Sequence, residues 1–496
     1  MPSPQSPPRS RPECKPRLRT RAPYSADWAE AVRLTARLAG IEQLDWQIDL
    51  IRDWSAHDER GQFIHRRVGA SIPRQAGKSV DGIAWTAFLV AVLGYRVLWT
   101  DHNYSTTCEM LRRFKEIFGE RPNDPNAKHK ELNALVLKVN MKTAQETYFF
   151  KNGAILAFST RTKSAGLGFS FDVVIYDEAQ ELTGEQMQAL MPVTSSGPHG
   201  NPQAVFLGTP KRAGSVADVF ADMREEAWAG GADDLCWCEY GVAEVGDIND
   251  ESRWYMANPS LGIVTTLAAI RMAARQFRTK ALAFAQEYLG YWLPNVANAL
   301  LSPGEWERCL VPAAPQCQGL VAYGVKFSAD GDSVALFCAF RPIGQAGAPA
   351  DAACVHVECI EVAPMSRGTA WLADWLAARY DRGCCVAIDG RAGAAALAEK
   401  LRQRAAPLGF VVEARAGDAV SAASMMLDSI RAGNVTRIES PALDVSALTS
   451  TKRKIGTGGG WGWGGEESAP IEAASLALWA VMTTKRDPLE EQEAWW

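Results

Sequence analysis

The chain has 496 residues, 47% of them hydrophobic and 22% charged, with a formal net charge of −5 at neutral pH. That length exceeds what one hydrophobic core sustains and predicts two large domains, and the composition excludes a fibrous or wholly disordered chain. A negative balance also excludes a protein that attracts nucleic acid through its overall field, so any such contact needs a local basic surface.

The 11 cysteines are odd in number and scattered, with Cys384 and Cys385 adjacent and no C-x-x-C. With only six histidines, this argues for reduced thiols in a cytoplasm rather than disulfides or a zinc site. The longest apolar stretch, Ile83 to Leu93, is too short to cross a bilayer and predicts a buried helix, so no membrane contact is expected. The first segment lacks the apolar core of a secretory signal.

In chain order, residues 1–22 are rich in Pro, Ser and Arg, carry six basic residues against one acidic, and predict a disordered basic tail that either touches DNA or a partner or is passive. Leu44-Asp45-Trp46-Gln47 then opens a helix that runs on through Ile48 and Leu50-Ile51. Ile64 to Ile72 predicts a strand and Val80 to Gly94 a long apolar helix, which puts Gly77-Lys78-Ser79 at a strand-to-helix junction.

A triphosphate needs backbone N–H groups, a helix N-terminus, one ammonium and a hydroxyl for Mg²⁺. Gly77, Lys78 and Ser79 supply these in order, with Arg74, Gln75 and Ala76 completing the loop, but Ile72 stands where the common motif has glycine. Alone, the triplet reads equally as a basic turn.

Tyr95 to Thr100 reads as a buried strand and Tyr104 to Phe118 as a helix, the alternation of an α/β unit. Val173 to Tyr176 is an apolar run ending in Asp177-Glu178, which suits a parallel sheet that binds ligands at its C-terminal edge. Asp177 would hold Mg²⁺ through water and Glu178 would polarise the attacking water; the alternative is a solvated strand end. Ala204 to Leu207 predicts a further strand, ending in Gly208-Thr209-Pro210. Residues 215–295 turn largely helical, with Ile270, Ala273, Phe277, Phe284 and Tyr288 spaced as one helix face, and residues 296–318 read as a linker rich in Pro, Asn and Ala.

Residues 319–486 open with a hairpin: Val321 to Ser328, a turn at Asp330-Gly331, and Ser333 to Phe340. A later strand, Cys384 to Ile388, ends in Asp389 and is followed by a helix from Ala392 to Arg404. That order is compatible with an RNase H-like sheet, a fold that cuts phosphodiesters with Mg²⁺ held by carboxylates. Lys452-Arg453-Lys454 precedes a glycine-rich stretch, Gly456 to Gly465, containing Trp461 and Trp463. It reads either as a loop that follows DNA or as a plain surface loop. Residues 487–496 read as a tail.

Together, Pro73-Arg74-Gln75-Ala76-Gly77-Lys78-Ser79, Tyr176-Asp177-Glu178-Ala179-Gln180 and Leu207-Gly208-Thr209-Pro210 resemble the large terminase subunit of tailed double-stranded DNA phages, over most of the chain. The resemblance implies an α/β architecture with an N-terminal P-loop ATPase of the RecA/ASCE-like kind at residues 23–295 and a C-terminal RNase H-like nuclease. It implies a motor that drives viral double-stranded DNA into a procapsid and cuts the concatemer. The implied cofactors are ATP with Mg²⁺ at the first site and Mg²⁺ or Mn²⁺ at the second. Portal protein, small terminase subunit and a homo-oligomeric, pentameric ring follow as partners, with the host bacterial cytoplasm as the working place and the portal as the dock.

By the same resemblance Trp46 and Gln47 contact adenine, Arg74 senses or stabilises the γ-phosphate with Arg161 as a second candidate, and Thr209 couples hydrolysis to movement. The implied catalytic set is Lys78, Glu178, Arg74 and Asp389. The nucleotide is held by Trp46, Gln47, Arg74, Gln75, Ala76, Gly77, Lys78, Ser79, Asp177 and Thr209, and the metals by Ser79, Asp177, Asp389 and Glu472.

One position departs from the pattern. The family's first nuclease metal ligand is an aspartate, and Lys326 stands there. An ammonium cannot ligate Mg²⁺. Either Lys326 points across toward Asp389 and its charge fills the space of a metal, or Asp330 or Asp332 supplies the ligand, or the change was engineered or marks a lineage that cuts poorly. A helicase-like translocase is the nearest rival and needs a second RecA-like core, of which residues 319–496 show no phosphate loop; a scaffold with an ATP-switched surface is another.

Overall fold

In this computed structural model the described residues are 14–143, 145–161, 169–194, 197–212, 215, 217–294, 299–342, 354–390, 392–456 and 459–488. They form two compact units, Met1–Arg278 with Ala283–Leu293, and Thr279–Leu282 with Pro294–Trp496.

The first unit is organised by strands β1 (Leu18–Thr20), β2 (Arg67–Ser71), β3 (Arg96–Asp101), β4 (Val136–Asn140), β5 (Thr147–Phe150), β6 (Ile155–Thr160), β7 (Val173–Asp177), β8 (Gln203–Gly208) and β9 (Leu235–Glu239). Their order is β1-β9-β2-β8-β7-β3-β6-β5-β4. From β9 to β6 all neighbours are parallel, and antiparallel pairs close both edges. Parallel strands require crossover helices on both faces, which is why β7 and β9 are buried at every residue. One strand, β8, stands between the phosphate-loop strand β2 and the carboxylate strand β7, as in RecA-like ATPases. The helix Lys78–Phe88 presses on this sheet at Gly82, where a Cβ would come within 2.8 Å of Leu207 and Trp99.

Several expectations are corrected here. The expected tail is ordered from residue 14, because Arg19 and Arg21 each pair at 2.7 Å with buried Asp53, and Arg17 pairs at 3.2 Å with buried Glu239; residues 1–13 lie outside the described residues. The long helix after the phosphate loop is α-helical only to Phe88 and continues as a π turn, Leu89–Leu93, ended by Gly94 at φ 75°. The largely helical stretch 215–295 contains β9, which completes the sheet beside β2. Its single apolar face is split into helices Leu267–Gln276 and Ala281–Tyr288.

The second unit holds β10 (Cys317–Phe327), β11 (Ser333–Pro342), β12 (Val355–Pro364), β13 (Gly383–Asp389), β14 (Val411–Glu413) and β15 (Val435–Arg437), ordered β14-β13-β10-β11-β12-β15. The pairs β10–β11 and β11–β12 are antiparallel, and β13 runs parallel to β10, an RNase H-like arrangement. Alternation along β10 sends Tyr323, Val325 and Phe327 into a core with the helices Ala370–Ala377 and Ala394–Gln403. The other face of β10 carries Ala322, Gly324 and Lys326 beneath the helix Ala469–Thr483.

Within the stretch expected as a linker, residues 301–309 pack instead into the core on that other face of β10. Ser302 and Glu305 cap a short helix, Pro303–Glu307, while Leu301, Trp306 and Cys309 are buried and the Trp306 indole donates to Asp444 at 2.8 Å. The glycine-rich stretch is half of a hairpin, β16 (Thr451–Ile455) with β17 (Gly460–Gly464), and Trp463 is buried with its indole donating to Ser475. Residues 489–496 of the expected tail lie outside the described residues. No described helix is long and apolar enough to cross a membrane, and all cysteines are free thiols.

Candidate functional site

Adjacent parallel strands bring the sequence motifs of the first unit to one sheet edge: Ser71 at the end of β2 is paired with Gly208 of β8, and Asp177 of β7 with Leu207. The phosphate loop leaves β2 with Gln75 at φ 61° and Gly77 at φ 99°, two left-handed residues that turn the backbone sharply. Three successive loop carbonyls accept side-chain donors. Gln75 takes the Thr265 hydroxyl at 2.8 Å, Ala76 the Ser260 hydroxyl at 2.7 Å, and Gly77 the Gln47 amide at 3.3 Å. A trans peptide points its N–H away from its C=O, so pinning these carbonyls outward aims N–H groups the other way, beside the open first-turn donors of the helix at Lys78. Ser260 and Thr265 are the residues sequence reading missed here; they lie far along the chain and carry no motif.

Gln47 is buried and also receives the Leu44 N–H through its amide oxygen, while the Trp46 indole donates to Ser260 at 3.1 Å. Both therefore flank the loop. Arg74 is held by Glu287, its side chain at 3.2 Å and its N–H on the Glu287 carbonyl. Its charge is nonetheless among those that lower the pKa of Glu178.

The carboxylates meet the loop across β8. The Ser79 hydroxyl donates to Asp177 at 2.9 Å, and the Lys78 ammonium lies 3.5 Å from Glu178. Burial raises the pKa of Asp177 against the opposing pull of Lys78. Burial pushes Glu178 in the same direction, yet Lys78, Gln180, Arg74 and His102 outweigh it and hold Glu178 below its ordinary value. Glu178 has φ 51°, an uncommon conformation for a side chain of its size and a frequent mark of a functional turn.

Gln180 joins this residue to the next strand: its amide donates to Glu178, and its oxygen accepts the Thr209 N–H at 3.1 Å. Gly208 leaves room for it, since a Cβ there would lie 2.9 Å from the Gln180 oxygen. Sequence reading placed Gln180 in the motif but gave it no role. Arg161 does not face the loop; it donates to the carbonyls of Thr100, Asp177 and Glu178 and so braces the carboxylate turn from behind. Beside it, fully buried Asp101 has no hydrogen-bond partner for either carboxylate oxygen among the described residues. Desolvation, helped by Asp177, pushes its pKa up to about 8.

In the second unit, Lys326 is paired with Asp389 in the parallel register of β10 and β13. The helix Ala469–Thr483 crosses β10 so closely that a Cβ on Gly324 would lie 2.0 Å from the Ala473 carbonyl, and this brings Glu472 over Lys326. The Lys326 ammonium sits 2.5 Å from Asp389 and 2.6 Å from Glu472. Burial lowers the Lys326 pKa, but Glu472 and Asp389 together carry it above its ordinary value. Of the expected alternatives, Asp330 is engaged within the hairpin, accepting from the Ser328 hydroxyl and the Asp332 N–H. Among the described residues no set of three or more His, Cys, Asp or Glu is grouped to hold a metal ion.

The family model "Terminase large subunit, endonuclease domain" matches residues 234–346, from β9 into the first hairpin of the second unit. The chain resembles a terminase large subunit. Among solved structures, the large terminase of bacteriophage HK97 is 16% identical over 92% of this chain and 100% of its own, with a TM-score of 0.46. A large terminase from a thermophilic bacteriophage is 12% identical over 88% and 98%, with a TM-score of 0.32. The large terminase nuclease of thermophilic phage G20c is 15% identical over 36% and 97%, with a TM-score of 0.26. No curated protein matches the chain.

Proposed function

We propose that the first unit is the ATPase of a DNA-packaging motor and that the second is its nuclease-type domain. The observation that carries the reading is the meeting of Ser79 with Asp177, and of Lys78 with Glu178, across the edge of a parallel sheet. A hydroxyl and a carboxylate at this spacing fit Mg²⁺, which in such sites keeps waters and shares ligands with phosphates rather than sitting in an all-protein cage. Bound Mg-ATP would supply the phosphoanhydride and charge neutralisation. The chain's own part is to cradle the phosphates on the N–H groups from Gly77 to Ser79, to add the Lys78 charge, and to hold Glu178 ionised toward the attacking water. Arg74 adds positive charge at the same edge, Trp46 and Gln47 border the adenine side, and the Glu178–Gln180–Thr209 chain passes the state of the γ-phosphate to β8.

The substrate on this reading is double-stranded DNA, moved by a ring of chains docked on a portal with a small subunit as partner, in the host cytoplasm. The helicase-like rival is disfavoured because the second unit is an RNase H-like sheet rather than a second RecA-like core. Steady-state ATP turnover of the intact chain, with and without DNA, tests the motor: Lys78→Ala and Glu178→Ala should each abolish it, and turnover that survives both removes the reading.

A further inference from the structure

Where the end of β13 meets the final helix, both oxygens of Asp389 and both of Glu472 are already met by donors of this chain. Asp389 Oδ2 takes the Lys326 ammonium and Oδ1 takes the Gly390 N–H at 2.7 Å. Glu472 Oε2 takes Lys326 and, at 3.3 Å, the Arg453 guanidinium, while Oε1 takes the Ser468 hydroxyl at 2.9 Å. Two carboxylates thus face two cations, and the cluster is neutral without any ion from solution.

A two-metal nuclease needs the reverse: an excess of carboxylate charge and oxygens free to approach a Mg²⁺ at about 2.1 Å. The donor set here does not fit that requirement. Nor is Lys326 free to leave, since only 8% of it is exposed and its withdrawal would leave two partly buried carboxylates facing each other. The neighbouring hairpin acid, Asp330, is tied to Ser328 and the Asp332 N–H.

We propose that Lys326 is a built-in cation standing in the place of a divalent metal between Asp389 and Glu472, so that this domain keeps its RNase H-like shape without metal and does not itself cut DNA. The inference rests on reading the second unit as nuclease-type. A separate endonuclease must then supply the DNA ends that the motor engages.

The test compares the full-length wild type with Lys326→Asp and with Lys326→Asp/Asp389→Ala, reading Mn²⁺ uptake by electron paramagnetic resonance and plasmid cutting in Mn²⁺ against EDTA. Circular dichroism checks the fold. The wild type should take up no Mn²⁺ in the absence of nucleotide and leave plasmid intact. Lys326→Asp should gain Mn²⁺ uptake that the second substitution removes. If uptake is gained together with cutting, both the inference and the nuclease-type reading stand; if uptake is gained without cutting, the place of Lys326 at a metal site stands, but the conclusion that this cation is what keeps the domain from cutting falls. Wild-type cutting that Mn²⁺ supports and EDTA abolishes, and that an Asp389→Ala single variant run beside these proteins loses, would overturn the inference, as would a folded Lys326→Asp that binds no Mn²⁺. ATP turnover is read separately and is unaffected by any of these outcomes.

Discussion

Replacing Gln180 isolates the connection between the carboxylate turn and β8. Gln180→Ala removes a donor to ionised Glu178, worth ~1.5–3 kcal/mol, and leaves the buried Thr209 N–H without an acceptor, a further ~1–3 kcal/mol. Because Glu178 sits at φ 51° on a turn that its neighbours must hold, part of this loss should appear in the barrier to hydrolysis. If roughly half is expressed there, at ~1.3–3 kcal/mol, kcat falls ~10–150-fold while KM, set by the loop, changes little. Gln180→Glu separates the two halves of the relay: it retains an acceptor for Thr209 and so loses less stability, yet it sets a like charge against Glu178 and loses at least as much rate. Steady-state ATP turnover with kcat and KM resolved, run beside urea melts of the same variants, reads both quantities. Wild-type kcat in both folded variants would refute the relay, as would a fall in kcat no larger than the unfolded fraction explains.

The buried Asp101 predicts a pH effect of definite sign. Its folded pKa of about 8 lies above the ordinary value of 3.8, so the folded state holds the proton more tightly and stability is lost as pH rises through that interval. Asp101→Asn should therefore gain on the wild type with rising pH, by at most ~1.4 kcal/mol per pH unit, and a constant difference between the two in urea melts across the interval would contradict it. Arg161→Met deletes the donors to the carbonyls of Asp177 and Glu178, and should cost ~3 kcal/mol or more in the same melts together with most of the ATP turnover. Gly324→Ala drives a Cβ to 2.0 Å from the Ala473 carbonyl, so the helix must move; a loss of ~1–3 kcal/mol in the urea midpoint is expected, and an unchanged midpoint would show that the crossing is looser than described.

How much the sequence disclosed depends on whether the information was local. The strand-to-helix junction at Gly77-Lys78-Ser79, the apolar strand delivering Asp177-Glu178 and the hairpin around Asp330-Gly331 were legible, since periodicity and turn chemistry act over a few residues. The strand face that Lys326 occupies was legible too, because alternation fixes it, but its reach to Asp389 was one alternative among several until β13 was seen to pair with β10. Ordering of residues 14–22 was not: basic composition predicts a tail, and only the tertiary fold supplies buried Asp53 and Glu239 as partners. The same holds for Ser260 and Thr265 on the phosphate loop, for Gln180 between two strand ends, and for Glu472 beside Lys326, which depends on a helix crossing at Gly324. By itself the sequence determined the chemistry on offer at each strand end, because covalent neighbours set it. The tertiary structure decided which of those groups meet, and so left Lys78 facing Glu178 beside a loop open to phosphates while Lys326 closed the carboxylates of the second unit upon itself.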